Sequence, residues 1–62
     1  MNKVKAINEK IKSMERKYKN DEEAMGEINQ AKDTIAYYID KGEEDKAFSH
    51  ARQLEAFLHD WY

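Results

Sequence analysis

The residues able to do chemistry in this chain are few. Ser13 and Ser49 are its two serines, His50 and His59 its two histidines, and it has no cysteine. Neither serine sits in a GxSxG turn or beside a base that could activate it. The two histidines are too far apart in sequence to share a helical face as a metal pair would. His50 projects toward the apolar side of its helix, where a core or boundary role is the simpler reading. His59 follows Glu55 by one helical turn on the polar side, the spacing of a surface ion pair. The acidic triplets Asp21-Glu22-Glu23 and Glu43-Glu44-Asp45 lack the glycine turn and ligand spacing of a calcium loop. Each stands where a helix begins, and carboxylates there meet the positive end of the helix dipole. Gly26 and Gly42 are isolated, so no glycine-rich loop is present to cradle phosphate. This inventory argues against an enzyme, and neither a cofactor nor a metal is expected.

The elements that carry these residues read as helices. Val4, Ile7, Ile11, Met14 and Tyr18 recur at alternating steps of three and four, a narrow apolar seam flanked by charge. Lys3, Lys10 and Lys17 run along one flank at heptad spacing, and Lys5, Lys12 and Lys19 run round the opposite side. Asn20-Asp21-Glu22-Glu23 then reads as a capping box, with Asn20 as cap and Glu23 reaching back. The next seam is Ala24, Ile28, Ala31, Ile35 and Tyr38, widened by Met25 and Ile39. Gly42 can take the left-handed conformation that ends a helix. The last seam is Ala47, Ala51, Leu54, Leu58 and Trp61, with Phe57 on one shoulder and Phe48 and Tyr62 on the other. These positions cover about half of a helical wheel, enough for two neighbours, so the carboxy-terminal aromatics are expected in the core.

The spacing therefore predicts an all-α fold, a small antiparallel three-helix bundle with helices at 2–19, 21–41 and 43–61 in one domain. An alternative stays open. The first seam continues in register into Met25, Ile28, Ile35 and Ile39, interrupted at core positions only by Asp21 and Lys32. Residues 1–41 could form one long helix in a hairpin that dimerises; the capping box favours the closed bundle. Sixty-two residues is near the lower limit for a chain without disulfides or metal, so stability must come from well-matched helices, self-association or a partner.

Charge is distributed by segment. Residues 1–19 hold seven Lys or Arg against two acids, residues 20–45 hold two against nine, and residues 46–62 balance. A basic first helix could neutralise nucleic-acid phosphates, with Lys10, Arg16 and Lys17 as the candidate contacts. Against this, Arg16 is its only arginine, and arginine is the side chain that reads guanine with two bonds. The acidic second helix would also repel phosphate. The simpler expectation is that the two helices pack together and offset each other's field. No apolar run approaches the ~20 residues that span a bilayer, and the opening MNKVKAINEK has no apolar signal core. A cytoplasmic location without membrane contact is expected.

Contact with protein has positive support. Tyr37 lies on the polar side of the second helix with Gly26, Gln30 and Asp33, and exposed tyrosines on rigid elements are favoured contact residues. Gly26 weakens its helix by up to ~1 kcal/mol relative to alanine, which the close approach of a partner backbone would explain. The expected partner-binding face is Glu22, Glu23, Gly26, Gln30, Asp33 and Tyr37. The stretch YYIDKGEEDKAFSHARQLEAF resembles one tetratricopeptide unit in its helix–turn–helix cadence. It lacks that consensus's tryptophan and terminal proline, and the resemblance carries no functional residue across. The function expected is a non-catalytic protein–protein interaction module, a regulator or adaptor with a protein partner and a possible homodimer. Nucleic-acid binding and a structural self-associating hairpin are the rival readings.

Overall fold

The computed structural model describes residues 2–61. Three helices form, α1 Lys3–Lys17, α2 Glu22–Asp40 and α3 Glu44–Trp61, and all three pack against one another. The closed bundle is the architecture that forms. Residues 18–21 turn the chain back, so there is no continuous helix over residues 1–41. The expected place of Tyr62 on the shoulder of the third helix lies outside the described residues.

The helix ends explain why the elements stop short of their expected limits. The Asn2 side chain accepts from the Val4 amide at 2.9 Å and opens α1. Arg16 and Lys17 occupy its last turn, where cations complement the dipole. The Asp21 amide then donates to the Tyr18 carbonyl at 2.9 Å and closes a tight turn. The Asp21 carboxylate accepts from the Ala24 amide at 3.1 Å, so Asp21, not Asn20, caps α2. The capping box is thereby shifted by one residue, and Ala24 rather than Glu23 takes the third helical position. Tyr18, buried as the last seam residue of α1, holds the chain until there and leaves Asn20 to the turn. At the other end of α2, Gly42 sits at φ 77°. Its amide donates to the Ile39 carbonyl at 3.0 Å, and the Glu43 amide donates to the Tyr38 carbonyl at 2.8 Å. These are the paired bonds of a Schellman motif, which needs a residue tolerant of positive φ at that point.

The core gathers Ile7, Ile11 and Met14 of α1 with Tyr18 that caps its end, Ala24, Ile28, Ala31 and Ile35 of α2, and Ala47, Ala51, Leu54 and Leu58 of α3. Met25, Tyr38, Ile39 and Phe48 pack partly buried around it. As its wide apolar arc requires, α3 packs extensively against both neighbours, and the α1–α2 contact is the slightest. Among the described residues no polar or charged side chain is buried. Among the described residues no buried side-chain nitrogen or oxygen lacks a hydrogen-bond partner, so the interior holds no uncompensated polar atom.

Two expectations about α3 fail together. Trp61 is 73% exposed and Phe57 40% exposed, so these aromatics are not core. Leu58 is the last fully buried position. One turn further on, α1 has already ended at Lys17 and α2 is only in its first turn, so Trp61 has no surface to cover. The expected Glu55–His59 pair is also absent, because Glu55 accepts from Lys10 of α1 at 3.3 Å.

Candidate protein-binding face

The six residues expected to form the partner-binding face, Glu22, Glu23, Gly26, Gln30, Asp33 and Tyr37, are all exposed. Helical spacing places them along the outward side of α2, opposite Ala24, Ile28 and Ile35. Tyr37 is 58% exposed, with its ring edge-on to Tyr38 at 5.9 Å and the Lys41 ammonium 5.6 Å from its centroid. Gly26 has open space around it, and a methyl group built there would meet nothing within 4 Å. Among the described residues no packing accounts for this glycine.

The outward face continues into a groove between α2 and α3. Its walls are Glu27, Gln30 and Thr34 from one helix and His50, Gln53 and Phe57 from the other, over a floor of Ala31 and Leu54. Gln30 belongs to both surfaces. At one end of the groove the rings of Phe57 and Trp61 lie 6.2 Å apart, tilted by 39°. At its other end His50 stands half-buried, edge-on to the Tyr38 ring at 6.4 Å. His50 is therefore a boundary residue. Periodicity places Trp61 on the apolar arc and gives no sign of its exposure, whereas Phe57, on the shoulder of that arc, adds apolar surface where α3 is not wholly covered. The usable signal would have been the shorter first helix, which leaves the last turn of α3 uncovered.

The nucleic-acid candidates do not share one surface. Lys10 pairs with Glu55 and lies 5.9 Å from the Phe48 ring centroid, which draws it against α3. Lys17 lies 5.5 Å from the Tyr18 ring centroid and lines a depression with Arg52, Glu55 and His59 of α3. Arg16 points elsewhere, about 100° round the helix from Lys17.

The ion pairs also revise the expected neutralisation of α1 by α2. The lysines of α1 reach α3, through Lys3–Asp45 and Lys10–Glu55. Among the described residues the one pair joining α1 to α2 runs the opposite way, with Lys32 of the acidic helix donating to Glu15 of the basic helix at 3.1 Å. The outward charges of both helices are left facing solvent. Among the described residues no three His, Asp or Glu side chains cluster as metal ligands would, and no helix is long and apolar enough to cross a membrane. The chain matches no protein-family model, no curated protein and no solved structure.

Proposed function

We propose that the chain is a non-catalytic protein-interaction module, a small regulator or adaptor, that engages a partner protein through the outward face of α2 and the adjoining α2–α3 groove. The observation that carries this reading is the exposure of three large aromatic side chains, Tyr37, Phe57 and Trp61, beside a closed apolar core. Aromatic side chains supply large contact area at low entropic cost and dominate the energetics of protein interfaces. Their arrangement favours one continuous surface. Tyr37 and Gln30 share the helix face, Gln30 leads into the groove, and Phe57 and Trp61 close its far end. The acids Glu22, Glu23 and Asp33 give that surface a negative rim, which favours a partner with basic residues.

The test compares capture of proteins from a lysate of the source cell by immobilised wild type, Tyr37→Ala and Trp61→Ala. Both variants truncate exposed rings, so helicity and melting temperature stay close to wild type. The reading expects each to lower capture of a specific protein about tenfold or more, the loss typical of an interface hot spot. Equal capture by all three proteins would remove this surface as the binding site.

A further inference from the structure

We infer that two copies of the chain pair through the α1–α2 face, the basic strip of each lying on the acidic strip of the other. This pairing shares Glu22 and Asp33 with the acidic rim of the partner face proposed above, while the groove, Phe57 and Trp61 lie outside it. Lys5, Lys12, Arg16 and Lys19 are exposed, and among the described residues none of them has an ion pair or hydrogen bond. The same holds for Glu22, Asp33 and Asp40 on α2. The Lys32–Glu15 pair marks the line where the two helices meet. Helical spacing places Lys5, Lys12 and Arg16 about 60–100° outward of Glu15, with Lys19 in the turn that follows α1, and the three anions about 80–100° outward of Lys32. One side of the molecule therefore carries a positive strip and a negative strip side by side, neither neutralised among the described residues.

Self-complementarity of this kind suits a two-fold dimer, in which one patch serves both partners. An axis parallel to the helices lays each α1 across the partner's α2 at the same level and antiparallel to it. Because α1 and α2 are themselves antiparallel, Lys19 then comes level with Glu22. Lys12 falls within about a turn of Asp33, and Lys5 within about a turn of Asp40, distances a lysine stem can bridge. An axis across the helices would instead set lysine against lysine, which like charges forbid. The pairing covers Glu22 and Asp33 and leaves α3, the groove and Trp61 on the outside, so the groove is the part of the partner face that stays open in the dimer.

The dimer is weak and salt-sensitive. The face is bounded by molecular extents of 32 × 20 Å, below the roughly 800 Å² per partner of a standard interface. Its exposed charges are also screened within about 10 Å at 0.1 M salt.

Sedimentation equilibrium up to millimolar chain tests the inference. In about 20 mM salt the wild type should approach twice its 7.4 kDa mass, and in about 0.5 M salt it should return to monomer. The double variant Lys12→Glu/Arg16→Glu carries acid on both strips, and Asp33→Lys/Asp40→Lys carries base on both. Each alone should stay monomeric with unchanged circular dichroism. Their equimolar mixture should associate at least tenfold more tightly than either alone, because both contacts are then complementary. A wild type that stays at 7.4 kDa in low salt, or a mixture that fails to associate, overturns the inference. So does a monomeric wild type that retains a short DNA duplex through Lys12 and Arg16, since the basic strip would then be a polyanion site.

Discussion

Replacing Gly26 by alanine separates what the fold needs from what a partner needs. Gly26 lies inside α2 on its exposed face, and a Cβ there meets nothing within 4 Å. Nothing opposes the substitution sterically, so two favourable effects remain. Alanine is the better helix former by about 0.8–1 kcal/mol in a helix interior. Part of that gain comes from the unfolded chain, which has fewer conformations to lose. We expect Gly26→Ala to stabilise the protein by about 0.5–1 kcal/mol. In a domain of this size that raises the melting temperature by about 2–8 °C. Urea unfolding followed by circular dichroism would show a higher midpoint with an unchanged m-value, since the surface exposed on unfolding is nearly the same. An unchanged or lower midpoint would refute the reasoning, because it would mean that something already fills the space beside Gly26. The functional prediction runs the other way. If a partner backbone seats against Gly26, the stabilised variant should capture less partner, a combination that damage to the fold cannot produce.

Three further substitutions test the structural claims. Gly42→Ala should destabilise the protein by about 1–2 kcal/mol, because φ 77° is strained for any side chain, and thermal melts would register the loss. Asp21→Ala should cost about 1 kcal/mol through loss of the cap to Ala24, whereas Asn20→Ala should change stability by less than about 0.5 kcal/mol. Comparable losses in chemical denaturation would place the cap elsewhere. Leu58→Ala should cost about 2–5 kcal/mol, since that side chain is fully buried, while Trp61→Ala one turn later should leave the unfolding midpoint near wild type. A large loss from Trp61→Ala would put that ring in the core after all.

Much of the fold was legible in the residues. The alternation of three and four residues in Ile7, Ile11, Met14 and Tyr18 survives as buried core, as do Ala24, Ile28, Ala31 and Ile35. Gly42 ends its helix for the backbone reason read from its type. The outward position of Tyr37 followed from the same periodicity, because a residue opposite the seam has nowhere else to point. The exact cap was not legible. Asn20 and Asp21 are both good capping residues, and the choice between them rests on where buried Tyr18 anchors the turn.

Sequence by itself determined which residues share a helical face, because 3.6 residues per turn is a property of the backbone alone. It therefore settled the three apolar seams, the outward stripe of α2 and the segmental charge. What only the tertiary structure decided is which faces meet and how far each helix is covered. Trp61 continues the seam of α3 yet stands 73% exposed, because burial needs a neighbour at the same level and α1 has ended. Lys3 and Lys10 turn to acids on α3 rather than α2, because the packing sets their flank of α1 against α3 and leaves the opposite flank, with Glu15, to α2. The groove from Gln30 to Phe57 joins residues of two helices, and no periodicity within either could bring them together.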